Sequence, residues 1–216
     1  SFKGQVRLMV GSKTQPVLFR PGTAATYSYL TQKDSDSHSE SRVNAFKKLY
    51  ALNSNSDPFI NLYNTILKRS LDLNVLLNQY WKSDDQKKTF TAKGPYNEDL
   101  FSVPSESNTG MEEELGGDLI EQLEAVAQLI YMGSSADKMN LNRQIFYVHF
   151  GGFDTHGNQD QDHPILLREV SLALYKFQKA LEEMNVDQKV ATFTLSDFGR
   201  TISNNGDGTD HAWSTI

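Results

Sequence analysis

Cysteine is absent from the 216 residues, which removes disulfides, thiolate metal sites and cysteine nucleophiles together. Positive charge is also scarce: 21 Lys and Arg stand against 27 Asp and Glu, for a net charge of −6. A groove that neutralises phosphates needs clustered basic side chains. The densest basic stretches here are the pairs Lys47-Lys48 and Lys87-Lys88, so nucleic acid is excluded as a partner. No apolar run approaches the ~20 residues that a membrane span requires. Gly-rich phosphate loops and the G-x-S-x-G elbow are missing, which leaves P-loop and serine-hydrolase readings without support. What remains is enough chain for a substantial core without staples. At ~150 residues per domain it makes one large domain, or one domain with an insertion. It opens on Ser1 rather than a methionine and closes at Ile216, just after Thr209-Asp210-His211-Ala212-Trp213, and reads as a fragment of a longer protein.

Two short β-like runs, 6–10 and 17–19, come first, separated by Gly11-Ser12 and closed by Pro21-Gly22. Residues 31–42 have almost no apolar content and read as a solvated loop or helix entry. Val43, Phe46 and Leu49-Tyr50 fit one helical face. Asp57-Pro58 pairs a capping side chain with proline at the first helical position, which predicts a helix running toward Trp81. Its stripe is Phe59, Leu62, Tyr63, Ile66, Leu73, Leu77 and Tyr80. Residues 82–111 are polar and broken by Gly94-Pro95, Pro104 and Gly110, and read as a long excursion. A third helix follows on Leu119, Leu123, Val126 and Ile130. These helices form an insertion at about 40–135.

The last seventy or so residues differ in kind. Residues 145–150 are a β-branched and aromatic run, Pro164 predicts a helix start, and 190–195 form a second strand-like run. The helix between them carries the stripe Leu167, Val170, Leu174, Phe177, Leu181 and Met184. Strand, helix and strand with short links predict a βαβ core over 144–214, with two parallel strands and a right-handed crossover. Ligands bind outside the carboxyl ends of such strands. Those ends carry Gly-Gly-Phe-Asp-Thr-His (151–156) and Ser-Asp-Phe-Gly-Arg-Thr (196–201), so Asp154 and Asp197 are expected on one edge of one sheet.

Asp154 and His156 are two apart and point the same way in an extended loop. Asp197 follows the second strand, and Asp210-His211 comes a Gly/Asn-rich loop later. Carboxylates and imidazoles without thiolate make a catalytic rather than structural zinc site, and they also suit manganese. An Asp after a strand serves equally as a helix cap or turn former, and Asn204-Asn205-Gly206-Asp207-Gly208 is turn chemistry. Asp160, Asp162 and His163 leave the same loop as His156 and lie within its reach, Asp162 also being an alternative cap. Arg200 is placed to clamp a phosphate or sulfate oxygen bidentately, or else forms a surface salt bridge. His149 reads as a sheet-face histidine and His38 as a loop residue.

The stretches HFGGFDTHGNQ (149–159), TLSDFGRT (194–201) and GTDHAWS (208–214) resemble a bacterial domain family of unknown function described as sulfatase-like. It lies within the alkaline phosphatase superfamily, and its members often carry twin-arginine export signals. The resemblance is dense over 144–214 and thin before it. It implies an α/β fold, alkaline-phosphatase-like, with a mostly parallel sheet flanked by helices and metals at the strand ends. It also implies a periplasmic or secreted setting and metal-dependent hydrolysis of a small anionic phosphate or sulfate ester. By resemblance Asp154 and His156 stand near the superfamily's D-x-x-x-H segment at shorter spacing. Ser196-Asp197 matches its S-D-H-G element, and His211 its late histidine ligand. Phe198 occupies the place of that element's histidine, which weighs toward one metal or toward a non-catalytic scaffold that keeps the fold. The resemblance puts the nucleophile and one ligand in a preceding segment that nothing here matches. An acidic cation-binding module without turnover is a third reading.

Overall fold

The computed structural model describes residues 38–51, 57–65, 67–68, 72, 87–105, 115–135, 141 and 143–212. The runs at 6–10 and 17–19, most of the loop at 31–42, the helix expected beyond residue 72 and Trp213 lie outside them. The chain divides into two compact units: Ser1–Lys87 with Met132–Ile145, and Lys88–Tyr131 with Phe146–Ile216. Among the described residues no helix is long and apolar enough to cross a membrane.

In the first unit, helix α1 spans Ser39–Ala51, with Glu40 in its first turn and Lys48 in its last. Both charges complement the helix dipole. Val43 is buried and Phe46 half-buried, as their spacing predicts. At 58–65 the chain is helical again, and the Asp57 carboxylate accepts the Phe59 N–H at 2.8 Å. The cap therefore forms where Asp57-Pro58 predicts it. Of the stripe it opens, the described residues Phe59, Leu62 and Tyr63 are exposed, Phe59 at 80%.

The second unit is built on two helices, α2 (Asp118–Ser134, as far as Tyr131) and α3 (Gln159–Glu183). All four predicted stripe residues of α2, Leu119, Leu123, Val126 and Ile130, are buried in one cluster with Leu172, Phe177 and Leu181 of α3. Burial of each such side chain stabilises by about 1.5–3 kcal/mol. Gly117, in the left-handed region at φ 79°, begins α2, and its carbonyl accepts the Glu121 N–H at 3.0 Å. Glycine offers no capping side chain. Glu169 of α3 supplies the missing acceptor, taking the Leu119 N–H at 2.9 Å and placing negative charge at the positive end of the dipole.

Helix α3 starts at Gln159, five residues before the expected start at Pro164. Asn158, at φ 53°, turns the chain, and its carbonyl accepts the Asp162 N–H at 3.0 Å. Pro164 therefore lies inside the helix, where it removes the hydrogen bond that the Asp160 carbonyl would have accepted. The buried face of α3 also differs from the expected stripe. Leu167 is 53% exposed, whereas Glu169 and Lys176 are buried. The helix ends on Asn185 in the left-handed region, with the Val186 N–H donating to the Leu181 carbonyl at 3.0 Å.

Residues 88–102, part of the polar excursion, instead form a strap bound into the core. Phe90, Ala92, Leu100 and Phe101 pack against the helices. Lys88 and Gln128 exchange two hydrogen bonds, at 2.9 and 2.8 Å. The Glu183 carboxylate accepts the Thr91 and Ala92 N–H groups and pairs with Lys88 Nζ at 2.9 Å. At the strap's turn Asn97 is left-handed (φ 65°), and Glu98 reaches the fully buried Lys176 Nζ at 2.5 Å. A Cβ on Gly94 would overlap both of those charged groups.

The runs flanking α3 carry the expected apolar residues. Phe146, Val148 and Phe150 pack on the core, while Tyr147 and His149 face outward. Val190 packs on the core and is extended (φ −117°, ψ 123°), but Phe193 and Leu195 are 77% and 81% exposed. Among the described residues no ladder joins these two runs. The one sheet among the described residues pairs β1 (Gly199–Asn204) antiparallel with β2 (Thr209–Ala212).

Candidate metal centre

Two loops meet, one before α3 and one formed by the β1–β2 hairpin. Gly152 (φ 95°) bends the first loop against Leu166 of α3, where a Cβ would come within 3.0 Å of Cδ2. The loop then presents Asp154 and His156 on its exposed side and buries Thr155. In the hairpin, Arg200 pairs with His211 and Asn204 with Thr209. The turn between them is self-bonded: Asn205 Oδ1 accepts the N–H groups of Asp207 and Gly208 at 3.2 and 2.8 Å.

The hairpin docks on the first loop through backbone contacts that need small or amide side chains. Asn205 Nδ2 donates to the His156 carbonyl at 3.1 Å, and the Gln159 N–H donates to the Asp207 carbonyl at 3.2 Å. Gly208 lies so close that a Cβ would stand 2.8 Å from the His156 carbonyl oxygen. This docking carries His211 to Asp154.

One carboxylate oxygen becomes the focus of two imidazoles. Asp154 Oδ1 lies 2.9 Å from His156 Nε2 and 2.6 Å from His211 Nε2. The donor atoms of these three residues all fall within 4.8 Å of one another. On its far side His156 Nδ1 lies 3.2 Å from Asp210 Oδ1, which also accepts from Asn205 Nδ2 at 3.2 Å. The rings stack: His156 on His211 at 4.8 Å, His211 on Phe198 at 4.0 Å, and the Arg200 guanidinium over Phe198 at 4.9 Å.

Electrostatics keep the carboxylates ionised. The hydrogen bond from His211 lowers the Asp154 pKa against a slight desolvation, helped by the charges of His211, His156 and Arg200. The hydrogen bonds from His156 and Asn205 lower that of Asp210. An ionised carboxylate only accepts hydrogen bonds. His156 meets one on each side, Asp154 at Nε2 and Asp210 at Nδ1. Two imidazole nitrogens and a carboxylate oxygen, with Asp210 orienting one ring from behind, suit zinc and also manganese.

The other candidate residues stand apart from this group. Asp197 is exposed and makes no hydrogen bond or ion pair among the described residues; its neighbour Ser196 closes a turn onto the Phe198 carbonyl at 2.8 Å. Asp162 accepts from Asn158 Nδ2 at 3.0 Å, and His163 packs edge-on against Phe153 at 5.8 Å. Arg200 spends two of its donors within the protein. Its Nη1 donates to the Thr209 carbonyl and its Nη2 to the Phe153 carbonyl, and its side chain is largely buried. Sequence reasoning missed Asn205 as a bridge, although the Asn-Asn-Gly-Asp-Gly turn marks it. It also missed Thr155, whose buried hydroxyl has no hydrogen-bond partner among the described residues.

Residues 138–216, which include the whole cluster, match a family described as "Protein of unknown function (DUF1501)". No curated protein and no solved structure matches the chain.

Proposed function

We propose that Asp154, His156 and His211 hold one divalent cation, zinc or manganese, in a hydrolase of small phosphate or sulfate esters that works outside the cytoplasm. The observation that carries the reading is the convergence of His156 Nε2 and His211 Nε2 on Asp154 Oδ1, at 2.9 and 2.6 Å. A cation there supplies Lewis acidity toward an ester oxygen. The chain's own residues prepare the place: Asp210 fixes the His156 ring, Phe198 backs the His211 ring, and Asp154 brings the negative charge. The ester chemistry, the export and an alkaline-phosphatase-like α/β fold rest on the resemblance of the 149–159, 194–201 and 208–214 stretches. By that resemblance the nucleophile comes from another part of the polypeptide.

A second reading, a non-catalytic binding scaffold, is favoured by the exposed Phe193 and Leu195 and by Phe198 in place of a nitrogen donor. The test uses the polypeptide as made in the cell, loaded with zinc or manganese and offered aryl phosphates and aryl sulfates. Metal-dependent turnover that is lost in Asp154→Asn is the expected result. Metal uptake without turnover favours the scaffold, and no uptake of either metal overturns the cation site itself.

A further inference from the structure

The sequence element 196–201 was expected to bring a metal ligand, Asp197, and an anion clamp, Arg200. Its side chains do something else. Asp197 points to no partner among the described residues, while Arg200 spans the two loops that carry the cluster. Its Nη2 donates to the carbonyl of Phe153, the residue just before Asp154. Its Nη1 donates at 2.5 Å to the carbonyl of Thr209, the residue just before Asp210-His211. The same guanidinium lies over the Phe198 ring, which also stacks on the His211 imidazole at 4.0 Å and 21°. It also stands 3.9 Å from Asp154 Oδ1.

We propose that Arg200 is the positioning residue of the cation site, which rests on the functional reading above. It fixes the peptide units ahead of Asp154 and ahead of Asp210-His211, and through Phe198 it fixes the plane of the His211 ring. The chemistry suits arginine. A planar fork of donors holds two carbonyls in a fixed geometry and still presents a flat face to an aromatic ring, whereas an ammonium has rotatable donors and no flat face. The fork joins residues 47 and 9 positions away in sequence, so its loss loosens the loops at Phe153 and Thr209 while the Asn205 and Gln159 contacts still hold the hairpin turn in place. Phe198 gains a function here as well: lacking a lone pair, it forms a flat support between the guanidinium and a ligand ring. Outer partners that orient metal ligands are worth about 10–100-fold in affinity.

The test compares the chain with Arg200→Ala and Arg200→Lys by zinc calorimetry, far-ultraviolet circular dichroism and the His211 ring-proton shifts of the metal-free protein. Those protons sit against the Phe198 face and are displaced by its ring current, a readout that needs no metal. Arg200→Ala should bind zinc at least tenfold more weakly, lose the His211 displacement and keep its helical signal. Guanidinium ion at sub-denaturing concentration should restore part of both losses, which sodium chloride at equal ionic strength should not. Arg200→Lys should resemble the alanine variant. Zinc binding within twofold of the parent together with an unchanged His211 shift overturns the proposal. So does a loss of helical signal that neither guanidinium nor lysine repairs, since that marks a general structural role. If the parent itself takes up no zinc, yet its His211 displacement vanishes in Arg200→Ala, the cation reading fails and the positioning role stands.

Discussion

Replacing His211 with alanine should weaken zinc binding by on the order of a hundredfold or more, exceeding the loss from an orienting partner. The imidazole supplies one of the three donors that converge here among the described residues, and its Nε2 lies 2.6 Å from Asp154 Oδ1. Asp154→Asn should act in the same direction, because it keeps the shape of the side chain and removes the charge on which both histidines focus. The fold should tolerate either change, as both side chains are exposed and neither belongs to the core cluster. Asp197→Asn should leave the affinity unchanged, since Asp197 is not among the converging donors. Calorimetric titration with zinc measures all three. Equal affinities in the parent and in His211→Ala would remove this histidine from the site.

The second large effect is on stability. Lys176→Met should cost about 3–5 kcal/mol, because it leaves a carboxylate mostly out of water with no counter-charge. Lys176 is completely buried and bonds to Glu98 at 2.5 Å. Burial alone raises the Glu98 pKa; the Lys176 hydrogen bond and charge, with the backbone bonds at the strap's turn, outweigh it and leave the pKa lowered. A carboxyl whose folded pKa lies below its unfolded value of about 4.3 adds stability above that value. The contribution is lost as the pH falls through the folded pKa. Thermal melts of the parent should therefore fall steeply below about pH 4.3, and less steeply in Glu98→Gln, which starts lower at neutral pH. The double change Lys176→Met, Glu98→Leu should recover much of the single variant's loss, since two apolar groups carry no charge to desolvate. A Lys176→Met melt within one degree or so of the parent would show the pair to be solvated.

Periodicity revealed what depends on near neighbours. The four stripe residues of α2 are buried, and Asp57 caps the helical segment at 58–65, because each follows from residues three or four apart. It failed where burial is decided by a distant partner. The apolar reading of α3 chose Leu167, but Glu169 and Lys176 share the buried face because their partners lie at Leu119 and Glu98. Residues 88–102 read as an excursion because their apolar groups follow no period. They are held by Gln128 and Glu183, about 40 and 90 positions away. At the site, Asp154, His156 and His211 were legible as motif residues. Asp197 was expected beside them on the edge of a parallel sheet, and no such ladder lies among the described residues. What brings His211 to Asp154 and leaves Asp197 apart is the register of the hairpin and the Arg200 hydrogen bonds, and neither is written in local spacing.

The most direct measurement is zinc K-edge X-ray absorption on the chain after loading and desalting. The account predicts retained zinc with light-atom donors at ~2.0–2.2 Å. It also predicts the outer-shell scattering of two imidazoles, falling to one in His211→Ala. Zinc that washes away, or that is retained by oxygen donors with no imidazole scattering, would contradict it.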